Sequence, residues 1–162
     1  MAFRRHILGA VALSAFLGFS STASAQNRTF SFAYDQPPTT AYGIAANIFD
    51  AKLKELSGGK MSINQFPGAQ LGQEPQMLQK MRAGDIDFVI TSTANASTVA
   101  PQAGVFSLHF LFRDQNHLAK SLADPAISQA FRDMTKESVT GARTLGLLTM
   151  GLRNMYSKKE IV

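Results

Sequence analysis

The side chains best suited to hold a small polar molecule fall in one run, Thr91-Ser92-Thr93-Ala94-Asn95-Ala96-Ser97-Thr98. They are short, neutral and rich in hydroxyl and amide groups, so they offer hydrogen bonds at close range without bringing charge. The run shows no period and directly follows an apolar stretch, residues 88–90. Open parallel sheets gather ligands in the loops at the carboxyl ends of their strands. That placement marks Ser92, Thr93 and Asn95 as candidate ligand-binding residues, although a solvated turn capping a helix uses the same composition. By position, Tyr34, Asp35 and Gln73 share the same rim. Asp35 would repel an acid, so its use is to meet a hydroxyl or to cap the next helix.

Other chemistries find little support. There is no cysteine for a nucleophile, no Gly-x-Ser-x-Gly elbow and no phosphate-cradling glycine loop. Beyond the first 25 residues the only histidines are His109 and His117, and no group of ligands has metal-site spacing. Asp85 and Asp87 alternate across a turn and read as turn and strand-entry residues rather than a paired acid and base. We therefore expect no catalytic residue, no metal and no cofactor.

The elements that must position the polar run are legible on either side of it. Residues 61–66 form a strand-like run that stops at Pro67-Gly68, a turn pair that cannot extend a ladder. Pro75 stands near a helix start, Met77, Leu78 and Met81 give that helix an apolar face, and Gly84 sits where a left-handed residue ends it. Phe88-Val89-Ile90 opens the next strand, expected over 88–91. Upstream, residues 29–34 alternate as a half-buried first strand, and 35–40 with Pro37-Pro38 form a loop in which Thr39 or Thr40 can cap a helix. That helix would bury Ala45, Phe49, Leu53 and Leu56, widened by Ile44 and Ile48, and stop at Gly58-Gly59. Two successive strand–helix–strand passages predict an α/β fold with a mostly parallel sheet flanked by helices. Downstream, residues 105–112 read as a buried strand or irregular wall and 114–123 as a helix. Asp124-Pro125 opens an amphipathic helix with Ile127, Ala130, Phe131 and Met134 on one face, and 144–150 would return as a strand.

The central segment, FPGAQLGQEPQMLQKMRAGDIDF (residues 66–88), resembles the signature region of the solute-binding proteins of tripartite ATP-independent periplasmic (TRAP) transporters. The resemblance extends from about Phe30 to Ile161. It implies a periplasmic-binding-protein-like domain and a family roughly twice this length. The chain would then be an N-terminal half whose second domain is largely missing, with residues 26–150 as the first domain and 151–162 as the start of a crossing strand. In that strand Arg153 matches a family arginine by its Gly-x-Arg context and the Ser-Lys-Lys-Glu-Ile behind it. Its implied role is to grip a carboxylate, for which a guanidinium fork that keeps its charge is well suited; an exposed structural arginine is the alternative. The family's Phe-x-x-Pro-(Phe/Tyr) passage is replaced here by Leu108-His109-Phe110, so a proline is lost and an imidazole gained.

Residues 1–25 read as an export leader: Arg4 and Arg5, an apolar run over 7–19, and Ala23-Ser24-Ala25 as a small-x-small cleavage site. The apolar run is shorter than the ~20 residues a membrane span needs, so no stable membrane insertion is expected after cleavage. Losing Arg4 and Arg5 lowers the formal charge from +5 to +3, spread without a block, which argues against nucleic acid as a partner. With no cysteine, stability must come from the core, and 45% hydrophobic residues with twelve Phe can form one. The function implied is capture of a small organic anion, a carboxylate, in the periplasm, and delivery to TRAP membrane subunits for uptake driven by an ion gradient. Two rivals are a protein that presents ligand to a sensor, and a truncated fragment or interaction module that binds nothing.

Overall fold

A computed structural model describes residues 27–139, 141–151 and 158. The expected leader at residues 1–25, Arg153, and the crossing segment apart from Gly151 and Lys158 lie outside the described residues.

Three parallel strands run β1 (Arg28–Ala33), β2 (Met61–Phe66) and β3 (Phe88–Val89), in the spatial order β2-β1-β3. Arg28 pairs with Met61 and Ala33 with Phe66 on one side of β1, while Phe32 and Ala33 pair with Phe88 and Val89 on the other. The chain leaves β1 in one direction, crosses back over it, and returns on the opposite edge. The connections are helical, α1 (Ala41–Ser57) and α2 (Glu74–Ala83). Alternation along β1 sends Phe32 and Tyr34 into a cluster with Tyr42 and Ala46 of α1, and Ala33 into a cluster with Met77 of α2 and Ile86. The sheet is therefore covered on both faces, as parallel sheets generally are. Phe49 reaches from α1 to Phe88 with ring centroids 5.0 Å apart, tying the helix to the far strand.

The turns follow the glycines and prolines. Gly58 and Gly84 are left-handed at the ends of α1 and α2, at φ 60° and 90°, where a residue without Cβ carries no steric penalty. Asp87, one of the two strand-entry aspartates, fastens β3 to β1. It accepts from the Ser31 backbone N–H at 2.9 Å, the Ser31 hydroxyl at 2.8 Å and Arg28 Nη2 at 3.3 Å. The Ser31 N–H first, then the Ser31 hydroxyl and the Arg28 charge, outweigh partial burial and hold its carboxyl below the usual range. A carboxylate that binds protons less readily folded than unfolded contributes stability above about pH 5, and loses it as pH falls through the folded pKa. Asp87→Asn should accordingly cost about 1 kcal/mol near neutrality, because solvent screens the Arg28 pair. The gap between wild type and variant, read from urea midpoints, should close as pH falls through the lowered folded pKa of Asp87.

Beyond β3 the chain becomes helical: α3 (Thr93–Ala96), a 3-10 helix (Pro101–Ser107), α4 (Gln115–Ala123) and α5 (Pro125–Ser138). Asp114 and Asp124 cap α4 and α5, accepting from His117 N at 2.7 Å and Ala126 N at 2.8 Å. Phe131 and Val139 pack with Ala100 and Ala103 into a second core.

Several sequence expectations are corrected here. The buried face of α1 is Tyr42, Gly43 and Ala46, with Phe49 and Leu53 half-buried, whereas Ile44, Ile48 and Leu56 lie in solvent. Hydrophobicity alone placed the stripe a fraction of a turn away, because Tyr42 and the small Ala46 fit against the β1 aromatics and Gly43 against the Pro38 backbone, where the branched residues would not. Thr40 stands at the N-cap of α1 without a capping bond; its hydroxyl donates instead to the Pro37 carbonyl at 2.7 Å. Residues 105–112 form no buried strand. The 3-10 helix runs to Ser107, and Phe110 follows in a left-handed conformation (φ 61°), 97% exposed. Residues 144–150 form no strand and pair with none among the described residues, and only Leu147 among their leucines packs into the second core.

Candidate functional site

At the carboxyl ends of β1 and β3, where the order of connections reverses around β1, the loops part to leave a cavity of about 570 Å³. A crevice at such a switch point is where open α/β sheets bind ligands. Asp35 and Gln36 reach it from the loop after β1, Glu74 from the first residue of α2, Ser92 and Asn95 from the segment after β3, and Met150 and Gly151 from the far side.

The signature segment positions the first of these. After Pro67, Gly68 (φ 61°) donates its N–H to the Gln36 carbonyl at 3.0 Å, and Ala69 donates to that of Tyr34 at 3.2 Å. The 67–72 turn is thus laced to the loop that carries Asp35. The chain then enters α2 with Gln76 Oε1 accepting from the Gln73 N–H at 2.9 Å, which satisfies one of the donors a helix start leaves free.

Glu74 is the hub. It is only 4% exposed, and one oxygen, Oε2, accepts from Thr91 Oγ1 at 3.0 Å, Ser92 N at 2.9 Å, Ser92 Oγ at 2.7 Å and Asn95 Nδ2 at 2.5 Å. Ser92 Oγ in turn accepts from the Asn95 N–H at 3.2 Å and caps α3. Burial pushes the Glu74 carboxyl up, but donation from Asn95, from both groups of Ser92 and from Thr91 outweighs it, and its pKa lies below the ordinary value. A carboxylate so stabilised is a weak base, so the Ser92 bond fixes the loop rather than activating the hydroxyl. Asp35 behaves in the opposite sense: burial, then the charge of Glu74, raises its carboxyl above the usual range.

Of the residues singled out in the sequence, Ser92, Asn95 and Asp35 line this cavity together. Thr93 begins α3 beside them. Gln73 caps α2 with its side chain in solvent. Tyr34 turns inward: it is fully buried in the α1 core and donates its hydroxyl to Gln65 Oε1 at 2.7 Å. Arg153 lies outside the described residues, two positions after Gly151 of the cavity wall. His109 is exposed beside Phe110. Glu74 and Gln36 were not singled out; an acidic residue at a helix start reads as a favourable dipole partner, and nothing local signals its burial. Among the described residues no group of three or more His, Cys, Asp or Glu is placed to hold a metal ion, and no helix is long and apolar enough to cross a membrane.

Residues 32–162 match the family model described as bacterial extracellular solute-binding protein, family 7. A C4-dicarboxylate-binding protein, DctB of Bacillus subtilis, is 31% identical over 112 residues, 69% of this chain and 32% of that protein. A TRAP periplasmic solute-binding protein from Xanthobacter autotrophicus, solved with β-D-galacturonate bound, superposes with a TM-score of 0.63 at 29% identity, over 67% of this chain and 36% of that one. One from Sulfurospirillum deleyianum, with succinate bound, gives 0.61 at 26% identity over 69% and 36%. The matched region spans about a third of the length of each.

Proposed function

The chain belongs to family 7 of the bacterial extracellular solute-binding proteins, and from that premise we propose that it forms the first lobe of a TRAP-type protein that captures a small organic acid. The observation that carries the reading is the cavity at the β1–β3 switch point, walled by Asp35, Ser92 and Asn95. Relatives with C4-dicarboxylate, galacturonate and succinate in their names or crystals support the ligand class. In this reading residues 26–150 are one α/β lobe and residues 151–162 lead toward a second. Arg153, close in sequence to the cavity wall, supplies the fork for the carboxylate, and Ser92, Thr93 and Asn95 supply neutral contacts. Closure of two lobes on the ligand follows from contacts that only the closed state makes. The protein binds and hands over its ligand without chemical change. It works in the periplasm after its leader is removed, delivering to membrane subunits that use an ion gradient.

A thermal-shift panel of C4-dicarboxylates, keto acids, sugar acids and aromatic acids tests this. A ligand that binds only the native state, present at a hundred times its Kd, adds about 2.7 kcal/mol. A saturable rise in Tm with at least one acid is the expected result, and a flat response across the panel would refute the reading.

A further inference from the structure

The wall that this lobe gives to the cavity carries two carboxyl groups, Asp35 and Glu74, and no lysine, arginine or histidine among its described residues. Its neutral donors are largely committed: the one hydroxyl proton of Ser92 goes to Glu74, as does an amide hydrogen of Asn95. Asp35 keeps more capacity: Gln36 Nε2 donates to its Oδ1 at 3.2 Å, its other side-chain tie is to the Glu74 carboxyl, and it is only half-buried. An anion entering here meets a wall of its own sign, whereas a hydroxyl can donate to it. We propose that this wall holds the hydroxylated end of the ligand, with Asp35 accepting from a ligand hydroxyl and Glu74 acting as a positioning residue. The chain then selects polyhydroxylated monocarboxylates over unsubstituted dicarboxylates.

The proposal rests on the solute-binding reading and deepens it. Asp35 already gauges the local field: its carboxyl is raised by burial and next by the charge of Glu74, and a ligand carboxylate beside it would feel the same charge. Sites built to hydrogen-bond a hydroxyl reject analogues lacking it far more sharply than apolar pockets reject a missing methylene. Here the second carboxylate of a diacid adds repulsion to the lost bonds.

Calorimetric titration of the full chain with D-gluconate and with succinate is the test, repeated on Asp35→Asn. Gluconate should bind at least about tenfold more tightly. Asp35→Asn should weaken gluconate and strengthen succinate, narrowing the gap. A merely structural Asp35 would lower both affinities by the same factor, and that outcome removes the residue's assigned role. Equal or tighter binding of succinate by wild type overturns the preference while leaving organic-acid binding intact. Failure of gluconate, succinate and the whole acid panel would instead bring down the underlying reading, and this inference with it.

Discussion

Glu74→Ala is expected to lower the unfolding free energy by about 3 kcal/mol and to abolish any ligand-induced rise in Tm. Four donors from Thr91, Ser92 and Asn95 converge on one Glu74 oxygen. Each bond to a charged acceptor is worth about 1.5–3 kcal/mol, and removing the acceptor leaves half-buried donors unpaired. The loss does not sum to the full total, because water can enter a cavity of about 570 Å³ and satisfy some of them. Glu74→Gln keeps one acceptor oxygen but not the charge, and should cost about half as much. Urea unfolding at constant m separates this loss from a change in compactness. A Glu74→Ala midpoint within error of wild type would show that the hub contributes no stability.

The second large effect is expected at Gly43. A Cβ at this position would collide with the carbonyl oxygen and carbon of Pro38. Both are backbone atoms, so no side-chain rotation relieves the contact. Alanine is favoured over glycine inside a helix by about 1 kcal/mol, but overpacking a rigid contact costs about 1–3 kcal/mol and at times more. The clash wins, and Gly43→Ala should be destabilised by about 2 kcal/mol net. The same clash would push the 35–40 loop outward, carrying Asp35 and Gln36 with it, so ligand affinity should fall together with the urea midpoint. Gly146→Ala meets nothing within 4 Å and should stay within about 0.5 kcal/mol of wild type.

The passage from β2 through α2 to β3 was legible in the sequence because its punctuation is local. Pro67-Gly68, the first-turn Pro75 and the left-handed Gly84 each act through their own backbone, whatever surrounds them. The cap at Asp124 was legible for the same reason, whereas Asp114, expected inside its helix, stands just before it as the cap. Burial depends on what lies opposite, and there the reading failed. Ile44 and Ile48 lie on a stripe as apolar as the one that packs, and residues 105–112 are as hydrophobic as any core strand, yet Val105, Leu108 and Phe110 face solvent. At the cavity, the polar run after β3 announced itself by composition. Glu74 did not, because its partners are 17 to 21 residues away and only the fold brings them to it.

The middle strand of the sheet comes first in the described chain, and both its neighbours come later. Thr29 meets Ser62 across 33 residues and Ser31 meets Asp87 across 56. Such separations carry a large loop-closure entropy before any pairing is gained, and they slow folding relative to helical proteins of similar size. Residues up to Phe66 can form only a two-stranded ribbon, with one flank of β1 bare. The sheet can close only once β3, which ends at Val89, joins the other flank of β1, so the rate at which β3 docks sets the time that edge stays open to aggregation.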